Sequence, residues 1–379
     1  MIKVVRATTV PMSLDIFCRD MLSELSKKYE VVALSSPGTD LDNVTEREGV
    51  RAIAVPMARR ISLKCDFISL CRLIKAFRKE KPTMVHSMTP KAGLLCMIAA
   101  RIARVPVRVH TFTGLVFPTA TGLKRRILMA TDWLTCACAT HIIPEGEGVK
   151  NDLLNNGVTK KPLKVLGHGN VRGVDLVFYS RRSEVMELAA EIKKDVFTFV
   201  FVGRIVRDKG INELCQAMDK LSKSVQARLL LVGKYEDSLD PISDEARGII
   251  EKNPAIESVG PKYGEELLSY YAASDCFVFP SYREGFPNTV IEAGAMGLPS
   301  IVTDINGSRE IIHQGENGVI IPSKDADALY EAMMNMVSDN IAHDKMAGNA
   351  REMIASRFEQ GFVRKCLYDF YDEILKDYN

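Results

Sequence analysis

Residues 197–210 read FTFVFVGRIVRDKG, a run of aromatic and β-branched residues that ends abruptly in glycine and charge. An amphipathic stretch over 211–224 follows it, so this segment predicts a buried strand, a turn and a helix. The same succession of short apolar runs and helical periodicity recurs along the whole chain. Strands that alternate with helices of this length are typical of βαβ units, and the chain is therefore predicted to be an α/β protein with parallel sheets.

The strand runs fall into two sets, seven in the first half, ending with Leu163–Leu166, and six in the second. They predict two Rossmann-like, doubly wound domains that face each other across a cleft. Arg172–Ser183 interrupts the periodicity, so the N-terminal domain is expected over residues 1–178 and the C-terminal domain over 179–358. No strand follows the last helix, and residues 359–379 are expected to cross back to the N-terminal domain.

Length and composition exclude several classes of protein. The chain has 379 residues, of which 46% are hydrophobic and 26% charged. That is ordinary globular composition and argues against disordered, collagen-like and coiled-coil proteins. The apolar run over 92–100 is far shorter than the ~20 residues of a membrane span. The N-terminus lacks a signal-peptide pattern and none of the nine cysteines forms a C-x-x-C pair, which together predict a cytoplasmic protein with buried thiols.

Charge is distributed unevenly along the chain. Residues 1–182 hold 29 Lys and Arg against 15 Asp and Glu, whereas residues 183–379 hold 21 against 33. The first half therefore carries +14 and the second −12. A basic half of this size indicates an anionic partner such as a membrane surface, a phosphorylated ligand or a nucleic acid.

The strand over 197–202 ends at a cationic turn. Gly203 and Arg204 follow the strand, and Lys209 and Gly210 come directly before the next helix. Ligands of open α/β sheets bind at the carboxyl ends of strands, and a helix N-terminus favours an anion. A pair of surface cations balanced by neighbouring acids is the alternative. The glycines favour the first interpretation, because they let a ligand approach the backbone closely.

Two glutamates lie eight residues apart in the segment 280–299, PSYREGFPNTVIEAGAMGLP. Glu284 lies in the loop after a predicted strand, and Glu292 lies about one turn into the helix that begins near Asn288. An acid on this otherwise apolar helix is unfavourable unless something hydrogen-bonds it, and sugar or ribose hydroxyls would do so. The residues between the glutamates present backbone N–H groups that suit a diphosphate. They are Gly285, Phe286, Pro287, Asn288 and Thr289.

These motifs resemble the retaining, GT-B fold nucleotide-sugar glycosyltransferases of family 4. The resemblance covers nearly all of 197–322, and includes GAMGLP over 294–299 and Gly315-Glu-Asn-Gly318. The first half is similar to a narrower branch that acts on polyprenyl-diphosphate sugars in capsule and glycan assembly. The segments VHSMTPKAG over 85–93, RVHTFTG over 108–114 and GLKRR over 122–126 carry that likeness.

The resemblance implies a set of roles. Arg204 and Lys209 would bind the donor diphosphate, with Glu292 on the ribose and Glu284 on the donor hexose. Met12 and Ser13, in the first turn, would contact the donor phosphate. Either His110 or Thr113 would face the reaction centre, and His110 is taken as the fourth catalytic residue with Glu284, Arg204 and Lys209. From their position at the edge of the first sheet, His86, Lys91 and Thr113 are expected to contact the acceptor.

The sequence thus predicts a retaining hexosyltransferase that moves a hexose or amino-hexose from a UDP-sugar to a polyprenyl-diphosphate-linked sugar. Lys124, Arg125 and Arg126 are expected to hold it on the inner face of the plasma membrane. Neither a G-x-G-x-x-G nor a P-loop motif is present. No cofactor, metal or nucleic acid is expected. Asp325 and Asp327 match a D-x-D metal motif, but two acids in a first helical turn explain them without a metal. The alternatives are a nucleotide-sugar 2-epimerase of the same fold and a non-enzymatic sugar or polyanion binder.

Overall fold

The chain forms two units, each built on a six-stranded sheet whose strands run parallel. The structure is a computed structural model that describes residues 1–58, 62–238 and 240–378. Unit 1 comprises Met1–Arg172 together with Gly361–Asn379, and unit 2 comprises Gly173–Gln360. Among the described residues, no helix is both long enough and apolar enough to cross a bilayer.

Unit 1 alternates strands and helices along the chain. Its strands are β1 (Lys3–Ala7), β2 (Glu30–Ser35), β3 (Arg51–Ala54), β4 (Met84–Met88), β5 (Val107–Phe112) and β6 (His141–Pro144). Its helices are α1 (Pro11–Cys18), α2 (Met21–Ser26), α3 (Thr39–Glu48), α4 (Leu63–Glu80), α5 (Pro90–Ile102), α6 (Gly122–Cys138) and α7 (Glu147–Asn155), with α16 (Gln360–Leu375) added from the C-terminus. The spatial order is β3-β2-β1-β4-β5-β6. The strand order therefore reverses between β1 and β4, which creates a switch point at their carboxyl ends.

Apolar cores cover both faces of this sheet. On one face, α5 lies between α4 and α6, with which it packs, and buries Ala92, Leu95 and Cys96 against the strands. On the other face, α16 contributes buried residues to the core around α1 and α2, among them Phe370 and Leu375. Because the sheet is covered on both faces, its central strands are buried on both sides, and β4 is buried throughout although it carries His86 and Ser87.

Unit 2 repeats the same plan. Its strands are β7 (Phe197–Val202), β8 (Ala227–Val232), β9 (Ile256–Gly260), β10 (Cys276–Phe279), β11 (Ser300–Thr303) and β12 (Gly318–Ile321). Its helices are α8 (Ser183–Ile192), α9 (Ile211–Leu221), α10 (Asp244–Lys252), α11 (Gly264–Ala272), α12 (Asn288–Ala295), α13 (Ser308–Ile311), α14 (Ala326–Ser338) and α15 (Asn340–Phe358). The order β12-β11-β10-β7-β8-β9 places the switch point between β7 and β10.

The predicted fold class is confirmed, and one predicted strand is wrong. Leu163–Leu166 runs beside β6 without strand geometry. The backbone N–H of Lys164 donates to the carbonyl of Ile142 over 3.2 Å, so the segment touches the sheet edge at this point. A short apolar run is compatible both with an edge strand and with an extended loop that covers a core. Here the run is a loop, and Leu163 packs against the core.

Candidate active site

The candidate site in unit 2 lies at the switch point of its sheet. One loop leaves β7 at Gly203 and leads through a short 3₁₀ turn, Arg207–Lys209, into α9. The other leaves β10 at Pro280 and leads into α12. Because β7 and β10 are neighbouring parallel strands, their carboxyl ends bring both loops to the same edge. This edge is where open α/β sheets bind their ligands.

A close approach at Gly210 brings these two loops together. Gly210 has φ +73°, and a Cβ placed on it would lie 2.1 Å from the carbonyl oxygen of Pro280. A side chain at this position would therefore force the start of α9 away from the end of β10. In its absence, the backbone N–H of Tyr282 donates to the carbonyl of Asp208 over 2.8 Å.

Lys209 and Glu284 meet at this junction. The Lys209 ammonium donates to the Glu284 carboxylate in a largely buried ion pair. The hydroxyl of Ser281 donates to the same carboxylate oxygen over 2.8 Å. The Lys209 Nζ also lies 5.2 Å from the centre of the Phe279 ring. The structure thus places two of the predicted catalytic residues in direct contact and adds Ser281, which the sequence analysis did not select.

Arg204 lies on the more open side of the same loop. Its side chain is 48% exposed and forms an ion pair with Glu236 at 3.0 Å. Arg207 pairs with Asp240 at 3.0 Å, and the backbone N–H of Asp208 donates to Asp240 over 2.8 Å. These bonds fix the course of the loop. An exposed arginine paired with a surface carboxylate can still reach an anionic ligand, because such pairs contribute little stability.

Glu292 is buried in α12. The Tyr271 hydroxyl lies 3.5 Å from its carboxylate, and Tyr271 is itself buried in the core of unit 2. A phenol at this distance offers a hydrogen bond to the carboxylate from the core side. Tyr271 is a second residue that the sequence analysis missed, since nothing in its local pattern separates it from other core aromatics.

The loop between the two glutamates packs tightly before α12 begins. Gly285, Phe286 and Pro287 are buried, whereas Asn288 and Thr289 are partly exposed in the first turn of the helix. Gly307, at φ +73°, lies against this loop, and a Cβ there would be 2.5 Å from the Gly285 carbonyl oxygen. The N-terminal end of α12 therefore lies open at the sheet edge, where its dipole favours an anion.

In unit 1, four predicted contact residues lie around the carboxyl ends of the strands. Met12 and Ser13 are in the first turn of α1, directly after the β1 loop, and Thr113 follows β5. Lys91 is the second residue of α5, and its ammonium donates to both oxygens of Asp66 on α4 at 2.8 and 3.0 Å. Asp66 therefore places a carboxylate at this edge of the sheet. The loops that follow β1, β4 and β5 contain no acid of their own.

His86 is buried in β4, and its expected acceptor contact stays a prediction. The Arg6 guanidinium donates to His86 Nδ1 over 2.5 Å, and His86 Nε2 lies 2.7 Å from the Thr111 hydroxyl. Burial and the neighbouring Arg6 charge hold the pKa of His86 well below its usual value. Because Nδ1 accepts, the neutral ring carries its proton on Nε2. Tyr371 of α16 completes the cluster, with its hydroxyl 2.6 Å from Nδ1.

His110 is also buried, with 1% of its surface exposed, and its expected role at the reaction centre stays a prediction. Its Nδ1 lies 3.1 Å from the Ser87 carbonyl oxygen and 2.9 Å from the Ser87 hydroxyl. A Cβ on Gly93 would lie 2.3 Å from the ring, so α5 passes directly over the imidazole. Burial lowers the pKa of His110 to about 3. The alternative residue, Thr113, retains a partly exposed position.

The predicted membrane cations divide into two kinds. Lys124 and Arg126 are exposed on α6. The Arg125 guanidinium instead donates to the Asn156 side chain over 2.6 Å and lies 5.8 Å from the Phe117 ring. Arg125 therefore helps to hold α6 in place.

The two acids of the D-x-D sequence have structural partners. The Asp325 carboxylate caps α14 by accepting from the Ala328 N–H over 2.9 Å, and Asp327 pairs with Lys220 at 2.8 Å. Within the residues that the structure describes, no group of three or more His, Cys, Asp or Glu side chains is arranged as a metal site.

Comparison with known proteins assigns the family. Residues 185–353 match the model described as "Glycosyl transferases group 1", and residues 16–169 match that described as "Glycosyl transferase 4-like domain". The capsular polysaccharide biosynthesis glycosyltransferase CapM of Staphylococcus aureus is 32% identical over 99% of this chain and 98% of its own length. The chain belongs to the group 1 glycosyltransferases, family 4, and is a hexosyltransferase-class enzyme with the GT-B fold.

One further relative and one solved structure are similar to this chain. The Escherichia coli enzyme named UDP-Gal:alpha-D-GlcNAc-diphosphoundecaprenol alpha-1,3-galactosyltransferase is 28% identical over 82% of this chain and 81% of its own. The crystal structure of Anabaena HepE with UDP superposes with a TM-score of 0.81 at 16% identity, covering 98% of this chain and 100% of that one. The latter shows a shared fold.

The buried histidine predicts an acid-sensitive fold. A neutral His110 with a pKa of about 3 takes up its proton on unfolding, where the pKa is ~6.5. The unfolded state therefore binds more protons between these values, and stability falls as the pH drops below ~6.5, by about 1.4 kcal/mol per pH unit for one group. The unfolding free energy of His110→Gln, measured by urea titration from pH 7 to pH 5, should fall less steeply than that of the wild type. Equal slopes would contradict this account of His110.

Proposed function

We propose that this enzyme is a retaining glycosyltransferase that moves a hexose or amino-hexose from a UDP-sugar to a sugar on a polyprenyl diphosphate. The reaction belongs to the assembly of a capsule or a related surface glycan. The observation that carries the proposal is the Lys209–Glu284 pair at the switch point of the second sheet, beside the open N-terminal end of α12. CapM and the E. coli galactosyltransferase support the pathway and the kind of acceptor by their names.

The donor diphosphate binds between cations and the helix end. Arg204 and Lys209 neutralise the charge that develops as the diphosphate leaves, and the first turn of α12, at Asn288 and Thr289, adds backbone N–H groups. The HepE complex supports UDP as the nucleotide, since it holds UDP in the same fold. These cations supply the positive charge that the leaving group needs, so the proposal requires no metal.

Glu284 and Lys209 exchange partners when the donor binds. In the structure, Lys209 is neutralised by Glu284, whose carboxylate is also fixed by Ser281. A diphosphate competes with Glu284 for the ammonium. Its arrival leaves the carboxylate bound to Ser281 and available to the donor hexose. Glu292, deeper in α12, is then the carboxylate that receives the ribose hydroxyls.

The acceptor side of the proposal concerns the membrane. On α6, the exposed apolar residues Leu123, Ile127 and Leu134 recur at helical spacing, and Lys124 and Arg126 flank them. A helix that exposes an apolar stripe beside cations suits the surface of an anionic bilayer. We therefore propose that the enzyme works at the inner face of the plasma membrane.

The family assignment favours sugar transfer over the two alternatives. Both models that match this chain describe glycosyltransferases. A 2-epimerase or a non-enzymatic binder would therefore be an exception within the family. A binder would also leave the paired glutamates and cations without a joint purpose.

Replacing Lys209 tests the donor site. Lys209→Met should weaken UDP binding by about one to two decades, because a hydrogen bond to a charged group contributes ~1.5–3 kcal/mol. Calorimetric titration of UDP measures the loss. Lys223→Met removes an exposed ammonium that pairs with Asp219 in the same unit and serves as the control. Wild-type UDP affinity in Lys209→Met would place the diphosphate elsewhere, and tighter binding of GDP or ADP than of UDP would overturn the choice of nucleotide.

Glu284→Gln separates binding from turnover. The change removes the anion that competes for Lys209, so UDP affinity should be retained or should rise, whereas transfer should fall by at least about tenfold. Transfer of radiolabelled hexose from a UDP-hexose panel to a polyprenyl-diphosphate sugar measures this. Unchanged transfer in Glu284→Gln would remove Glu284 from the site. No transfer by the wild type from any UDP-sugar would contradict the proposed function.

The membrane surface is tested by charge reversal. Lys124→Glu/Arg126→Glu should lose binding to anionic vesicles, because each cation near such a surface contributes ~1 kcal/mol. Arg125 is left intact because it holds α6 to Asn156. Lys252→Glu/Lys345→Glu, at exposed positions of unit 2, changes the net charge equally and is the control. Co-sedimentation of the first variant at the wild-type level would show that α6 is not the membrane face.

A further inference from the structure

An apolar groove crosses the α4–α5–α6 face of unit 1. Its volume is about 550 Å³, within the ~300–1,000 Å³ of small-molecule sites. Aliphatic side chains from all three helices line it: Leu63 of α4, Leu94 and Leu95 of α5, and Ile127 and Leu128 of α6. The aliphatic part of this lining offers no hydrogen bonds to a sugar, so the part of the occupant that lies there must be apolar.

One end of the groove is polar. Thr9, which follows β1, and Thr89, which follows β4, join their hydroxyls at 2.8 Å, and the Lys91–Asp66 ion pair borders the groove beside them. This end coincides with the switch point of the first sheet, where ligands of such sheets bind. Thr89 holds φ +68°, a strained value for a β-branched residue, and strain of this kind concentrates at functional sites.

The rims of the groove expose apolar side chains to solvent. Leu63 and Phe67 on α4 are 85% and 66% exposed, and Leu123 and Ile127 on α6 are 73% and 46% exposed. Exposed cations accompany them, with Lys64 on α4 and Lys124 and Arg126 on α6. Apolar rims, basic neighbours and a polar end together match an amphiphile with an apolar chain and an anionic head.

We propose that this groove binds the first isoprene units of the lipid-linked acceptor, with the acceptor diphosphate at the Lys91 end. The inference rests on the proposed function and adds to it that a single lipid chain leaves the bilayer to lie on α5. The volume of the groove accommodates a few isoprene units and excludes the full polyprenyl chain, whose remainder stays in the membrane. Lys91 exchanges Asp66 for the diphosphate as the chain seats.

The inference predicts recognition of chain length near the head group. Burial of each methylene contributes ~0.8 kcal/mol, about a fourfold change in affinity, so acceptors should improve steeply until the groove is filled. The assay uses the same sugar diphosphate on one isoprene unit or on three. It is run without vesicles and below the micellar concentration, so that recruitment to a surface plays no part.

Filling the groove should abolish the advantage of the longer chain. Thr131 lines the groove from α6, and its neighbour Ala130 is exposed outside it. In Thr131→Trp, the ratio of kcat/KM for the three-unit over the one-unit acceptor should fall at least about tenfold. Ala130→Trp adds the same ring to the same helix and should keep the wild-type ratio. Leu63→Ser, at an exposed rim position, should lower the ratio without the risk of misfolding.

The outcomes separate the two proposals. Wild-type transfer that is equal for both chain lengths would overturn the groove and leave the proposed function standing. A wild-type ratio in both Thr131→Trp and Leu63→Ser, or an equal fall in Ala130→Trp, would also overturn the groove. Absence of transfer to either acceptor, with UDP still bound, would overturn the proposed acceptor and the groove together.

Discussion

The close approach of Gly210 to Pro280 is the constraint on which the candidate site depends. With no Cβ at position 210, α9 begins directly against the carbonyl end of β10, and a methyl group there would lie 2.1 Å from a carbonyl oxygen. The same contact places Lys209 beside Glu284. These two residues come from loops that are far apart in sequence. The close backbone packing thus brings two loops, each of which follows a strand, together in one site.

Much of unit 2 could be predicted because its chemistry is local in sequence. Strand, glycine, cation and helix follow one another within residues 197–211, and Glu284 and Glu292 lie within a single loop and helix. The residues that support them are less visible. Tyr271 approaches Glu292 from α11, and its role depends on tertiary packing, which no spacing rule along the chain contains. Ser281 could have been selected, since it lies in the same short loop as Glu284, between β10 and α12.

In unit 1, the sequence does not show how deeply two of the predicted site residues are buried. His86 and His110 occupy strands next to the edge at which ligands bind, and their sequence neighbours resemble an active-site motif. Side-chain direction and the covering helices decide their environment. Gly93 lets α5 close over His110, and Tyr371, nearly three hundred residues away along the chain, closes over His86. Burial disfavours the charged form of both imidazoles and holds them neutral within the sheet.

The opposite charges of the two halves gain a physical meaning from these sites. The proposed donor site needs few cations, because they lie beside a helix end and Lys209 is largely buried, where an anion is held strongly. Unit 2 can therefore be acidic overall. Cations on an exposed helix act through solvent and are screened, so a surface must gather several of them to hold an anionic bilayer. A basic first half with exposed aliphatic side chains on α4 and α6 fits that second requirement. Where the cations lie, and how deeply they are buried, therefore explains the difference between the two halves better than the total charge of each half.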